Sequence, residues 1–347
     1  MSDFDFDEPA TAAAKKSIFA KIAGLSTKVK IASAAGLVVL LGGGGAFAYS
    51  ALNTPDAVVG LALASVFGEA HPGFEVSADV KSATTNGSGT IDIYTADTGS
   101  LLTLKASAMV NEEQIGATLN VLASKAGDVY LNLADFDSLG AYIITSGLLP
   151  METVNNARTA LNGAWVKVTK EELDSYTSLA GDTNSCISTK LNNPEYTKKV
   201  QGEFVGILRN NNFIQVKKEL PGVNGDRVFE LGINAEQLKS FLKAAKASTY
   251  YQDFTTCVPT VSITDAQIDS ITQEKIDEAL KNESTTLYAN SFSHKLDKIE
   301  FQLTDSSSNQ SVKVTFKPLG DQSSKVVVPA KSTTLTELLT TLSTPTY

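Results

Sequence analysis

A run without charge constrains this chain most. From Ile31 to Leu52 (IASAAGLVVLLGGGGAFAYSAL) there are 22 residues and no Asp, Glu, Lys or Arg, and the next charge is Asp56. As a helix, at ~1.5 Å per residue, the run reaches about 33 Å, enough for a bilayer core of about 30 Å. Gly42 to Gly45 weaken helix propensity, but glycine is tolerated in membrane helices, whose backbone bonds are internal. Lys15, Lys16, Lys21, Lys28 and Lys30 precede the run and none follows closely. The excess of lysine before the span places residues 1–30 in the cytoplasm and residues 53–347 outside. The expected organisation is a disordered cytoplasmic tail at 1–30, a transmembrane helix at 31–52 and an extracytoplasmic domain at 53–347. The protein is then a single-pass protein of the cell membrane.

Two other readings stay open. Ala46-Phe47-Ala48 has the small-x-small form of a signal-peptidase site, which would release the chain after Ala48. The polar region before the apolar run is long for a signal peptide and favours an uncleaved anchor. A buried core helix is the remaining reading, and the lack of any polar face argues against it. The tail alternates acid and aromatic, Asp3-Phe4-Asp5-Phe6-Asp7. It reads as a solvated tail or as a short peptide ligand for a cytoplasmic partner.

Composition removes several functions. Lys and Arg number 29 against 38 Asp and Glu, a net charge of −9. Without the five lysines and four acids of residues 1–30, the remainder carries 24 basic and 34 acidic residues, a net of −10. Such a surface does not attract nucleic acid. Two histidines and two distant cysteines supply neither a metal-ligand cluster nor a CxxC motif, so no metal and no cofactor are expected. No GxSxG, HExxH, Walker or calcium-loop motif occurs, and no catalytic residue is assigned. The expected protein is not an enzyme.

Beyond the apolar run, Pro55 to Ala70 reads as an amphipathic helix with proline in its first turn. Period-two alternation then marks strands at 74–80, 91–93, 102–108, 115–123 and 129–133, with a turn at Asn86-Gly87 and another at Gly127-Asp128. The middle is mixed. Helices are expected at 151–162, 170–179, 194–208, 234–246 and 264–280. A short strand falls at 164–168 and a hairpin at 213–233. Thr169 and Glu172 form a capping box, and Asn234 caps its helix. Strands return at 299–303, 312–316 and 326–328, and a short helix closes the chain at 334–342. The expected fold class is α+β: an N-terminal transmembrane helix followed by a curved antiparallel sheet, a half-barrel, packed on helices.

Four stretches carry a likeness to a known family: GSGTIDIYTADTGSLLTLKAS (87–107), GDVYLNLADF (127–136), LNGAWVKVTKEEL (161–173) with its Gly-x-Trp-x-x-Val step, and PLGDQSSKVVVPA (318–330). Together they resemble the LolA-like/LppX-type fold of exported bacterial proteins, an open half-barrel sheet closed by helices. The likeness spans most of residues 55–340. It implies a membrane-anchored or periplasmic protein that carries lipid or another hydrophobic molecule in its concavity. The chain departs from the family in having no lipobox cysteine and in the insert bounded by Cys186 and Cys257.

Candidate site residues follow from the strand pattern. Leu104, Ala106, Ala117 and Leu119 point inward and are small to medium, leaving room for a ligand or for a closely docked helix. Trp165 stands at the mouth of such a cavity or in the core. Outside the cytoplasm Cys186 and Cys257 should be oxidised together, the alternatives being two buried thiols or a catalytic use. The bridge would close a 72-residue segment, worth ~4 kcal/mol on the chain-entropy model. His71 and His294 read as loop residues, and Asp135-Phe136-Asp137 as a solvated turn. The leading expected function is non-enzymatic binding of a hydrophobic or lipid ligand at the cell envelope. The alternative is a surface interaction or sensor module with no bound ligand.

Overall fold

One-sided burial turns the alternating pattern into paired strands. A computed structural model describes residues 53–66, 71–82, 86–110, 113–161, 163–179, 190, 193–257, 262–305 and 310–343. Helix α1 (Pro55–Ser65) leads into a meander of β1 (Pro72–Lys81), β2 (Asn86–Ala96), β3 (Gly99–Val110), β4 (Glu113–Ser124) and β5 (Val129–Ala134). Helices α2 (Phe136–Thr145) and α3 (Met151–Leu161) precede β6 (Val166–Val168). Helices α4 (Lys170–Leu179) and α5 (Pro194–Asn210) precede the hairpin of β7 (Ile214–Val223) and β8 (Asp226–Ile233). Then come α6 (Ala235–Lys246), α7 (Thr249–Cys257), α8 (Asp265–Asp269) and α9 (Gln273–Ala279). Strands β9 (Glu283–Asn290), β10 (Leu296–Asp305) and β11 (Gln310–Asp321) follow, then a 3₁₀ turn (Ser323–Lys325), β12 (Thr333–Thr334) and α10 (Leu335–Ser343).

The expected fold class is corrected. Among the described residues all twelve strands belong to one sheet, ordered β12-β6-β5-β4-β3-β2-β1-β11-β10-β9-β8-β7, and only the β12–β6 pairing is parallel. Among the described residues no helix is long and apolar enough to cross a membrane. The run 31–52 and the tail 1–30 lie outside the described residues. The expectation is one antiparallel sheet curved into a half-barrel behind a transmembrane helix. The sheet found is wider: the long β1–β11 pairing joins the early meander to the late strands, and the 213–233 hairpin extends the same sheet through β9.

Cross-strand register divides the sheet into two faces. Phe229, Leu287, Ile299, Phe316, Val76, Ile91, Leu104, Leu119 and Leu133 stand in one row, each opposite the next. They define an apolar face. The neighbouring row is polar and lies on the other face: Tyr288, Lys298, Lys317, Glu75, Asp92, Thr103, Asn120 and Asn132.

The apolar face is sealed on one half only. α1 packs on β7, β9 and β10, anchored by Leu296 N donating to Ser65 Oγ (3.0 Å). There Phe229, Leu287 and Ile299 are at most 1% exposed. On β2–β5 the same row is half-buried, and Ile91 is 38% exposed. The polar face of β2–β5 shows the reverse. Asp92, Thr103 and Asn132 are buried there, and Tyr94, Leu122, Tyr130 and Val326 form a small second core with Leu101, Trp165 and Leu319 packed against it.

Other expectations fare unevenly. The 170–179 helix begins as read: Thr169 N donates to Glu172 Oε2 (2.8 Å) and Glu172 N to Thr169 Oγ1 (3.2 Å). α1 buries Val58, Val59, Ala62 and Leu63 on one side, but its opposite side carries Ala57, Leu61 and Ala64 and Asp56 is its only charge, so it is apolar nearly all round rather than amphipathic. Asn86-Gly87 opens β2 instead of turning. The 264–280 helix is two helices, because Thr272 accepts from Lys275 N and caps a new start. Residues 326–328 form no strand, and β9 was not foreseen. Asn224 and Gly225, both with positive φ (53° and 90°), make the tight β7–β8 turn. β7 is an edge strand with register shifts between Val216 and Lys218 and between Leu220 and Val223, and a Cβ on Gly232 would collide with the Lys217 side chain.

Candidate functional site

The expected cavity residues fall on two sides of the sheet. Leu104 faces Leu119 and Ala106 faces Ala117 across β3 and β4, so these four share the apolar face. Trp165 does not join them. It packs against Tyr94, Leu122 and Tyr130, whose row (Tyr94, Leu101, Leu122, Tyr130, Lys167) lies on the polar face. Sequence periodicity could not assign its side, since β6 is only three residues long and its register came from pairing.

A hydrogen-bond ladder fixes the step before Trp165. Thr103 Oγ1 donates to Asn120 Oδ1 (2.8 Å), Asn120 Nδ2 to Asn132 Oδ1 (3.0 Å), and Asn132 Nδ2 to the Ala164 carbonyl (3.0 Å). Gly163 adopts φ 67°, a conformation that suits glycine. Below it, Lys167 pairs with Asp128 at 2.7 Å. That hydrogen bond holds the Asp128 carboxyl below the usual aspartate value and raises the Lys167 ammonium.

The polar face also carries a pocket of about 320 Å³ on β2–β4. One wall is the row Ser88, Ser107 and Gly116, the other is Thr90, Lys105 and Thr118, and Gly89, Ala106 and Ala117 lie between them. Gln114, Asp135 and Ser138 complete the lining. Ser88 and Ser107 share a hydrogen bond of 2.8 Å, and Thr118 Oγ1 donates to Asp135 Oδ2 at 3.0 Å. Ser138 accepts from Gly116 N and donates to Gly116 O, both at 3.0 Å, so α2 starts by satisfying the β4 backbone beyond the end of β5. Lys105 reaches the buried Asp92 at 3.3 Å, and Asp92 Oδ1 has no hydrogen-bond partner among the described residues. The pocket can hydrogen-bond a small polar molecule. It is not the apolar cavity that the strand pattern led one to expect. The signal for it was present in the polar half of the same alternation, which reads as solvent-facing unless pairing is known.

The remaining candidates are soon placed. Cys257 is disulfide-bonded, and Cys186, the only other cysteine of the chain, lies outside the described residues. Asp253 of α7 takes Tyr196 Oη of α5 at 2.8 Å and also pairs with Lys190, while Glu203 accepts from Thr249 N (2.9 Å) and Oγ1 (2.7 Å). Those contacts bind the disulfide-bearing helix into its layer. His71 lies 3.7 Å from Asp97, and His294 occupies a positive-φ turn. Asp135, also at positive φ, precedes α2, and Asp137 pairs with Arg158 at 2.7 Å. Among the described residues no three His, Cys, Asp or Glu cluster to hold a metal.

Fold and surface together describe a sheet protein whose apolar face is half-open at β2–β5 and whose polar face is partly buried there. No protein-family model and no curated protein matches the chain.

Proposed function

We propose that this protein binds a hydrophobic or lipid ligand at the cell envelope, on the apolar face of β2–β5, without catalysing a reaction. The observation that carries the proposal is the row of exposed Ile91 and half-buried Leu104, Leu119 and Leu133, adjoined by Leu102 and Val121. A contiguous apolar surface left partly in water is a standing site for an apolar partner. Binding takes place on an open face rather than in a closed cavity. Placement at a membrane, with the sheet outside the cytoplasm, draws support from the uncharged run 31–52 and the lysines before it. It is also supported by the disulfide at Cys257, which suits an oxidising compartment. The resemblance to LolA-like/LppX-type proteins agrees with the same reading.

The test compares the full chain with a Leu104→Glu, Leu119→Glu variant, both purified in detergent until bilayer lipid is removed and then extracted with organic solvent. The expected result is a lipid bound near one per chain in the native protein and about tenfold less in the variant, as two buried charges would dictate. Equal lipid in both overturns the proposal.

A second reading is an interaction module. It is favoured by Leu148 and Leu149 after α2 and Met151 at the start of α3, all three exposed. Ligand-free native protein from the same extraction would favour it.

A further inference from the structure

We infer that one end of the sheet is a membrane-docking surface, seated on the outer region of a lipid bilayer through Phe292, Val223, Val327 and Val328. The inference rests on the membrane placement proposed above.

The end in question is defined by strand direction. Asp226 pairs with Asn290, so the β7–β8 and β9–β10 turns lie side by side, and Ser291 N donates to Gly225 O at 3.2 Å. β1 starts and β11 finishes at this same end, where Pro72 pairs with Asp321. The β2–β3 turn is there too, and its Thr98 Oγ1 donates to the Val326 carbonyl at 3.1 Å. Phe292, at the tip of the β9–β10 turn, is 93% exposed, and Val223, Val327 and Val328 are exposed as well. Single apolar side chains in water are ordinary. Four at one end of a sheet, spread over several strands at ~4.8 Å spacing, make a surface.

The path of the chain identifies the occupant. Residue 53 directly follows the uncharged run 31–52. Its carbonyl accepts a hydrogen bond from Arg227 Nη1 at 3.1 Å, two residues from Gly225 and its bond to Ser291. Arg227 is itself fixed by Glu219, through Nε at 2.7 Å and Nη2 at 2.9 Å. A chain leaving a bilayer near residue 52 therefore arrives at the end of the sheet that presents Phe292. A tether this short holds that end against the lipid, where aromatic and aliphatic side chains gain by entering the interface. A second copy or another protein would need this surface turned away from the membrane that the tether keeps close.

The experiment uses the full chain reconstituted in phosphatidylcholine vesicles, with or without bromine high on the acyl chains. Phe292→Trp and, separately, Val327→Trp are compared with the native protein, whose single tryptophan Trp165 packs in the second core. Both positions are exposed, so the substitutions leave the fold intact. The expected result is that bromine removes about half or more of the added emission while aqueous iodide leaves it unchanged, as for a side chain at the interface. The inference is overturned if the chain stays with the vesicles through an alkaline wash but the added emission answers to iodide, or to neither quencher. A chain that the wash removes overturns the membrane placement and this inference with it.

Discussion

The two halves of the sheet bury opposite faces. From β8 to β11 the central apolar row is closed, with Phe229 and Leu287 wholly out of water and Phe301 and Val314 beside it half-buried, and the polar side carries half-buried charges such as Glu300. From β2 to β5 the apolar side is half-open, and Asp92, Thr103 and Asn132 are buried on the other. The cross-strand row is continuous through both halves, so local sequence is not the cause. Alternation decides which residues share a face, and the elements packed on that face decide whether it is dry. α1 covers only one half.

The largest test of this contrast replaces residues of the same row in each half. Phe229→Ala is expected to cost ~3–5 kcal/mol, since the ring is fully enclosed. Leu104→Ala should cost about 1 kcal/mol, because much of its transfer term is already forfeited to water. Urea unfolding midpoints measure both, and equal losses would break the distinction.

Asn132→Leu probes the buried polar side. It leaves Asn120 Nδ2 and the Ala164 carbonyl without their partners, at an expected ~1–3 kcal/mol. Trp165 emission should shift to the red as its strand step loosens. A variant as stable as the parent, with unchanged emission, would mean that the ladder is not held out of water.

The smallest effect belongs to the outer rim of the closed half. The Arg227 guanidinium, donating to both carboxylate oxygens of Glu219, holds that carboxyl below its ordinary value of 4.5. A depressed folded value stabilises the protein above the unfolded value, and that stability is lost as pH falls through the folded one. Acid below about pH 4.5 should therefore remove ~0.5 kcal/mol in the parent, a size set by solvent screening. Glu219→Gln should abolish that part of the pH dependence, read from unfolding midpoints across the acid range.

Much of this fold is legible in the sequence. β1 to β5 follow their alternation closely, and the capping residues Thr169 and Asn234 mark real helix starts. β9 was hidden because ESTTLYAN offers only Leu287 and Ala289 on its inner side, both fully buried by elements distant in sequence. α2 was hidden because Asp135-Phe136-Asp137 has the composition of a turn, while Ser138 is recruited to the β4 backbone. At the site, the pairing of Leu104 with Ala106 and of Ala117 with Leu119 on one side of each strand could be read from spacing alone, while the face the two pairs share came from the β3–β4 register. The polar pocket and the side taken by Trp165 could not, since both depend on which strands lie next to which.

The bulged edge strand β7 has a consequence for how copies of this molecule meet. Its exposed row of Lys217, Lys218 and Glu219, its two register shifts and Pro221 interrupt the straight ladder that a foreign strand would need for pairing. The opposite rim is closed by the two-residue β12, which is too short to template a partner. A wide sheet that keeps one apolar side partly wet would otherwise invite stacking into fibrils. Here the rims are blunted, so neither edge offers the straight ladder that edge-to-edge pairing needs.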